Sequence, residues 1–162
     1  MDRRGHGTSR DCAWPTHRRA VGGGRGAGRV RVIVLDASAL VDFLLLSPGW
    51  EQIRGHIAGD VQLAAPDLLS LEVSSTLWRL ECAGTITSEE SASCLTQAGR
   101  LAIERVPMLD LTADAWAMRH SLRISDAYYV ALARQLRWPL LTTDQKLARG
   151  ATGISVITVS SD

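Results

Sequence analysis

The sequence predicts an α/β fold in three layers, with a mainly parallel central sheet between two layers of helices. From Val30 onward, short apolar runs of strand length alternate with stretches of helix length, a pattern typical of parallel sheets with crossover helices. The first run, Val32–Leu35, is apolar throughout and rich in β-branched residues, which indicates a strand buried on both faces. A chain of 162 residues with 46% hydrophobic residues is long and apolar enough for one domain with its own core.

Composition divides the chain at Val30. Residues 1–29 contain seven of the fourteen glycines and seven arginines against two aspartates. Such a segment cannot offset its ordering entropy by burial, so we expect a disordered basic Gly/Arg-rich extension at 1–29 and a folded domain at 30–162. One hypothesis is that translation starts near Val30, through an alternative start codon. The remainder is mildly acidic, which does not exclude a polyanionic substrate, because bound metal ions invert the local field.

Composition also excludes several classes of protein. No window approaches the roughly 20 consecutive apolar residues of a membrane-spanning helix, so we expect a soluble protein without a membrane partner. Cys12, Cys82 and Cys94 show neither CxxC spacing nor a histidine at ligand spacing, which argues against a disulfide framework and a zinc site. We expect free, mostly buried thiols and a reducing, cytoplasmic compartment.

Caps and breakers mark the elements of the first half of the chain. Ser38 is a candidate cap for the first helix, which the Pro48-Gly49 pair ends. Gly84 stops a long helix, and Thr87 with Glu90 forms a capping box for the next one. The predicted elements are, in order, strand 32–35, helix 39–46, helix 50–58, strand 61–64, helix 67–83 and helix 88–103.

Caps and breakers also mark the elements of the second half of the chain. Thr112 is a candidate cap for one helix, Ser125 and Asp126 open another that is apolar nearly all round, and Trp138-Pro139 lies beyond its end. The predicted elements are, in order, strand 106–109, helix 113–122, helix 126–136, strand 139–142, a helical turn at 144–148 and strand 155–159.

Two aspartates follow predicted strands directly. Asp36 comes after the first strand, and Asp144 follows the strand that ends in Thr142-Thr143. In open α/β sheets, ligand chemistry gathers at the carboxyl ends of strands, and a carboxylate buried there needs a cation, donors or solvent. The alternative for each aspartate is helix capping. Capping is less attractive for Asp36, because Ser38 is a competing cap. For Asp144 both capping and a ligand role stay open.

Two further acids lie on helices. Asp126 is in the first turn of a buried helix, where the helix dipole favours a negative charge and where Ser125 offers a competing cap. Glu72 lies mid-helix beside the apolar stripe of residues 69–80, where capping cannot explain it, and an inward-leaning glutamate needs a partner. The alternative for Glu72 is a rim position in water. Asp42, one and a half turns after Asp36, is a candidate for the same site, but we favour surface exposure for it.

Together, Asp36, Glu72, Asp126 and Asp144 form a set of oxygen-only ligands. Four converging carboxylates repel one another, so such a cluster is stable mainly when it holds a hard cation such as Mg²⁺ or Mn²⁺. Two such ions stabilise the attacking and leaving oxygens of a phosphodiester displacement. The sequence therefore favours metal-assisted phosphodiester hydrolysis.

At this point the chain resembles the PIN-domain ribonucleases, and specifically the VapC-type toxins of bacterial toxin–antitoxin pairs. The matching stretches occur in the family's order and span nearly all of 31–159; they are VIVLDASALVDFLLL at 32–46, APDLLSLEVSSTLW at 65–78, ISDAYYVALA at 124–133 and PLLTTDQKLA at 139–148. The resemblance implies a PIN-like three-layer domain that hydrolyses RNA.

The resemblance also implies roles for particular residues. Asp36 and Asp126 would be the chief Mg²⁺ ligands, while Glu72 and Asp144 would complete the metal shell or orient water. The nearby hydroxyls would come from Ser38 and from Thr142 or Thr143. A VapB-type antitoxin, a homodimer and an RNA substrate are the implied partners.

Surface residues supply candidates for contacts to those partners. Trp50, Trp78 and Trp116 are candidates for the groove that receives an antitoxin helix, with core packing favoured for the last two. Five arginines are candidates for phosphate contacts, with solvated helix faces as the alternative for most of them; they are Arg54, Arg79, Arg119, Arg123 and Arg134.

Three other functions would account for part of this sequence pattern. A non-catalytic PIN-like module that binds RNA or protein is the main alternative, and the intact acidic set argues against it. A haloacid-dehalogenase-like phosphatase needs a second acid two residues after Asp36, where Ser38 stands. A receiver-like phosphoacceptor needs an acidic pair before the end of the first strand, which this chain lacks.

Overall fold

The computed structural model describes residues 30–159, which form a five-stranded parallel sheet with the strand order β3-β2-β1-β4-β5. The strands are β1 (Arg31–Leu35), β2 (Val61–Pro66), β3 (Ile103–Val106), β4 (Leu140–Thr142) and β5 (Val156–Thr158). All four neighbouring pairs are parallel, with Leu35 opposite Leu141 where β1 meets β4. The predictions for residues 1–29 and Cys12 lie outside the described residues.

Seven helices connect and cover these strands in the described part of the chain, which confirms the three-layer α/β/α prediction. They are α1 (Ala37–Leu44), α2 (Trp50–Ile57), α3 (Leu68–Cys82), α4 (Ser88–Arg100), α5 (Met108–Ala117), α6 (Ile124–Leu136) and α7 (Gln145–Gly150). Within residues 30–159, no helix combines the length and apolarity needed to cross a lipid bilayer.

The core is built around the two central strands. Val34, Leu35, Leu140 and Leu141 are fully buried, because β1 and β4 are covered on both faces. Helix α6 packs on this sheet through a run of buried residues, as its nearly all-apolar sequence predicts. Each buried Leu or Val contributes about 1.5–3 kcal/mol relative to an exposed one, so this packing holds the carboxyl ends of β1 and β4 in place.

The predicted caps and stops around α3 and α4 are confirmed. Gly84 adopts a left-handed conformation with φ 69° just after α3, which ends that helix at little steric cost. The Thr87 amide donates to Glu90 Oε2 at 2.7 Å, and the Glu90 amide donates to Thr87 Oγ1 at 3.2 Å. These reciprocal bonds form the capping box of α4.

The prediction is wrong between residues 100 and 122. Helix α4 ends at Arg100 rather than 103, the third strand is 103–106 rather than 106–109, and α5 begins at Met108 rather than 113. Pro107 explains the shift, because it cannot donate to the sheet and is favoured at a helix start. Thr112 therefore lies inside α5, where its hydroxyl donates to the Met108 carbonyl at 2.9 Å instead of capping.

Candidate active site

The strand order brings two acidic segments to one edge of the sheet. Because β1 and β4 are parallel neighbours, their carboxyl ends lie side by side, and the Asp36 amide donates to the Leu141 carbonyl at 3.0 Å. Asp36 follows β1 at once, and Asp144 lies two residues beyond β4.

Asp36 is 5% exposed and is itself the N-cap of α1, so the prediction that Ser38 caps this helix is wrong. Asp36 Oδ2 accepts from the Ser38 amide at 3.3 Å, from Thr142 Oγ1 at 2.7 Å, and from the Ser38 hydroxyl. Ser38 lies in the first turn of α1, close enough to contact the capping carboxylate. Capping and a place in an acidic site are therefore compatible for Asp36.

Two hydroxyls tie Asp36 to the loop after β4. Ser38 Oγ accepts from the Thr143 amide at 3.1 Å, and Thr142 Oγ1 accepts from the Asp144 amide at 3.0 Å. Each hydroxyl thus donates its proton to Asp36 and accepts a loop amide, which fixes the position of Asp144 relative to Asp36.

Thr143 has a different partner from Thr142. Its hydroxyl donates to Asp42 Oδ2 at 2.6 Å, whereas Thr142 is fully buried against Asp36. Of the two interpretations of Asp42, the favoured one, a surface residue, is wrong, because Asp42 lines the same cavity as Asp36. Its position six residues after Asp36, on the helix that leaves this strand end, was the available signal.

Glu72 lies on α3 and has the partner that its mid-helix position requires. The hydroxyl of Tyr129, a residue of α6 that is 1% exposed, donates to Glu72 Oε2 at 2.7 Å. Sequence reasoning did not single out Tyr129, because a tyrosine on an apolar helix reads as core.

Asp126 and Asp144 differ in what holds them. Helix α6 begins at Ile124, and no side chain caps it, so Ser125 instead donates to Asp126 Oδ1 at 3.3 Å. Asp144 caps α7, where its Oδ1 accepts from the Lys146 amide at 2.6 Å and from the Leu147 amide at 3.1 Å. The capping interpretation of Asp144 is correct, and its side chain also lines the cavity.

One cavity of about 600 Å³ joins these side chains. Its lining contains five carboxylates, which are Asp36, Asp42, Glu72, Asp126 and Asp144. Two cationic side chains, Arg79 and Arg123, also line it. The structure therefore brings all four predicted acids together in a concave, open site.

Three of the carboxyl groups have raised pKa values, chiefly because they are buried. Burial raises the pKa of Asp36 despite its bonds from Ser38 and Thr142. Burial raises the pKa of Glu72, the Tyr129 bond opposes the rise, and the charges of Asp36 and Asp126 add to it. Burial also raises the pKa of Asp126, with the charge of Asp144 adding to the rise. The fully charged cluster is therefore unfavourable by itself and attracts a cation.

The residues suit a hard divalent cation chemically. Carboxylate and hydroxyl oxygens surround the cavity, and these are the donors that Mg²⁺ and Mn²⁺ prefer. Within residues 30–159, no three Asp, Glu, His or Cys side chains already lie in a ligating cluster. Asp36 and Asp144 instead use oxygens to cap α1 and α7, so the site is a shared acidic cavity rather than a closed coordination shell.

Other candidates lie away from this cavity. Trp78 and Trp116 are 64% and 60% exposed, so the prediction that they pack in the core is wrong. Arg54 and Arg119 lie over the rings of Trp50 and Trp116, outside the cavity lining. Both described cysteines are free; Cys94 is buried as expected, whereas Cys82 is exposed.

Comparison with known proteins agrees with the fold. The profile of the PIN domain matches residues 33–152. Ribonuclease VapC3 of Mycobacterium tuberculosis is 37% identical over 118 residues, which cover 72% of this chain and 85% of the relative. VapC ribonuclease Mb0985 of Mycobacterium bovis is 36% identical over 128 residues, which cover 79% of this chain and 98% of the relative.

Solved structures show the same fold at lower identity. VapBC2 from Rickettsia felis, bound to a DNA fragment from their promoter, has a TM-score of 0.59 at 13% identity, covering 81% of this chain and 99% of that chain. PAE2754 from Pyrobaculum aerophilum has a TM-score of 0.56 at 20% identity, covering 78% of this chain and 84% of that chain. With the profile matched from β1 to the end of α7 and the curated relatives aligned over most of their length, this chain belongs to the PIN domain family.

Proposed function

We propose that this protein is a metal-dependent endoribonuclease toxin, inhibited by a cognate VapB-type antitoxin and acting in the cytoplasm. The observation that carries the proposal is the convergence of Asp36, Glu72, Asp126 and Asp144 on one cavity at the carboxyl edge of the sheet. Relatives named VapC ribonucleases, at 36–37% identity over most of the chain, support RNA as the substrate.

The roles proposed for the acidic residues are those that the resemblance to the PIN-domain ribonucleases implies. Asp36 and Asp126 would be the chief ligands of Mg²⁺ or Mn²⁺, while Glu72 and Asp144 would complete the shell or orient water. A divalent cation bound there would supply a polarised water and charge stabilisation for phosphodiester hydrolysis. Ser38 and Thr142 keep Asp36 and the β4–α7 loop in register through their paired bonds. Thr143 orients Asp42, which lines the same cavity, through a hydrogen bond.

RNA contacts are proposed for two of the five candidate arginines. Arg79 and Arg123 are the cations among the residues lining the acidic cavity, so they are placed to meet phosphates that approach a bound cation. Arg54 and Arg119 lie over tryptophan rings at 5.8 and 5.1 Å from the ring centroids, away from that lining.

An antitoxin helix is proposed to cover the same region. Leu71 and Trp78 are 66% and 64% exposed and lie seven residues apart on α3, so they share one face of that helix. Leu71 also lines the acidic cavity, which joins this apolar face to the site. The proposed partner helix would bury this face and bring a basic side chain to the carboxylates. A homodimer remains part of the proposal.

RNA cleavage by the purified chain tests this function. We expect cleavage with Mg²⁺ or Mn²⁺, its loss on chelation, and its recovery when the ion is restored. Asp36→Asn and Asp126→Asn should each reduce the rate at least about a hundredfold while the far-UV circular dichroism is unchanged. Asp110→Asn, an exposed change on α5 outside the cavity, is the matched control.

Two results separate the alternatives. Full-rate cleavage by both cavity variants would refute the site assignment. RNA binding without cleavage at any divalent ion concentration would instead favour a non-catalytic PIN-like binding module.

A further inference from the structure

The buried hydroxyl of Tyr129 links the two helices that carry Glu72 and Asp126. Tyr129 lies on α6, three residues after Asp126, and its side chain is 1% exposed. Its hydroxyl donates to Glu72 Oε2 on α3 at 2.7 Å. The bond therefore joins α6 to α3, the two helices that contribute Asp126 and Glu72 to the acidic cavity.

Glu72 needs such a restraint more than the other acids do. Asp36 and Asp144 are fixed by helix-capping bonds within their own segments, whereas Glu72 lies mid-helix, where no capping bond is available. A glutamate side chain also has up to about 2 kcal/mol of rotamer entropy to lose when it is fixed. In addition, burial raises the pKa of Glu72 and the like charges of Asp36 and Asp126 add to the rise, so its charged form is disfavoured without a partner.

Tyrosine is well suited to hold this side chain. Its ring is locked by packing, so the hydroxyl has little freedom, and its single proton is donated to one carboxylate oxygen. Because Glu72 lines the cavity, the carboxylate that Tyr129 holds is within reach of a ligand bound there. Partners of this kind orient metal-binding carboxylates in many proteins.

We propose that Tyr129 is a positioning residue that holds Glu72 in the orientation needed to bind the divalent cation. This inference rests on the proposed function and extends it to a residue that does not itself line the cavity.

The test measures cation binding rather than RNA cleavage. Mn²⁺ affinity of the full chain is determined by electron paramagnetic resonance titration, with Tyr129→Phe compared against wild type. We expect about tenfold weaker binding in Tyr129→Phe, the size typical of losing a residue that orients a metal ligand. Tyr128→Phe is the matched control, because this neighbouring hydroxyl lies 3.2 Å from Thr112 Oγ1 and should leave the affinity unchanged.

A double-mutant cycle separates positioning from general destabilisation. If Tyr129 acts through Glu72, then adding Tyr129→Phe to Glu72→Gln costs no further Mn²⁺ affinity. Wild-type affinity in Tyr129→Phe, no loss in Glu72→Gln, or fully additive losses would each overturn the proposal. Absence of Mn²⁺ binding by wild type would be a different result, because it would overturn the proposed metal dependence and this inference together.

Discussion

Asp36 performs two structural tasks with one carboxylate. It caps α1 and lines the acidic cavity, and Ser38 and Thr142 both donate to its Oδ2. Its residue type and its place after an apolar strand were enough to predict a site there. The resemblance implied Ser38 and either Thr142 or Thr143 as nearby hydroxyls, but the choice of Thr142 required the structure, because Thr142 lies 106 positions away and meets Asp36 only through the pairing of β1 with β4.

Removing the charge of Asp36 should stabilise the cation-free protein. Burial disfavours the ionised form, and asparagine can still accept the Ser38 and Thr142 bonds through its amide oxygen. We expect Asp36→Asn to raise the Tm in chelator at neutral pH by about 2–5 °C, as measured by calorimetry. A lower Tm than wild type would show that the aspartate charge is already compensated.

The stability difference between Asp36→Asn and wild type should depend on pH. Because the folded-state pKa of Asp36 is raised, the wild-type protein is stabilised by protonation of this group at acidic pH and loses that stabilisation as pH rises through the folded-state pKa. The advantage of Asp36→Asn should therefore shrink as pH is lowered from neutrality towards the ordinary carboxyl range. An advantage that grows on acidification would contradict this assignment.

At the scale of elements, the central strands β1 and β4 were predictable from the sequence, whereas the bounds of the edge strand β3 were not. Strands β1 and β4 were found within one residue of their observed bounds because runs buried on both faces are continuously apolar. Strand β3 pairs only with β2, and two charged residues stand side by side in the middle of Ile103–Val106, so its signal is weak. Helix α5 begins directly after Pro107, five residues before the start that was predicted from Thr112 as a cap.

The capping box of α4 makes a testable contribution to stability. Thr87→Ala removes the bond to the Glu90 amide and should lower the free energy of unfolding by about 1 kcal/mol. Urea denaturation measures this value. Thr96→Ala is the control within the same helix, because the Thr96 hydroxyl donates only to the Ala92 carbonyl at 2.9 Å and caps nothing. An equal loss in both variants would argue against the capping box.

Across the whole molecule, charge is distributed unevenly. Residues 31–162 hold eleven Lys and Arg against fifteen Asp and Glu, and the acidic cavity concentrates five of those carboxylates. The convergence of the four predicted acids could be inferred from their positions. Asp36 and Asp144 follow strands, whose carboxyl ends share one edge of a parallel sheet. Asp126 lies at a helix start, and Glu72 lies in mid-helix, where capping cannot explain it. The choice of Arg79 and Arg123 among five arginines required the structure, since the sequence favoured a solvated helix face for most of them and did not single out these two.

RNA binding should show which arginines meet phosphates. In the Asp36→Asn background, which prevents cleavage, Arg79→Ala and Arg123→Ala should each weaken binding and reduce the salt dependence of log K by about 0.7. Arg54→Ala is the matched control and should leave that slope unchanged, because Arg54 lies over Trp50 outside the cavity. Fluorescence anisotropy across a salt series measures the slopes. Equal slopes in all three variants would exclude a cavity-directed path for RNA.

The central claim is that the acidic cavity is unfavourable until a divalent cation occupies it. Thermal unfolding with increasing Mg²⁺ tests this most directly, because a ligand that binds only the folded state stabilises it by about 2.7 kcal/mol at 100 times its Kd. We expect Mg²⁺ to raise the Tm of wild type and of Asp110→Asn, and to have no effect on Asp36→Asn/Asp126→Asn. An unchanged wild-type Tm, or an equal rise in the double variant, would contradict the account.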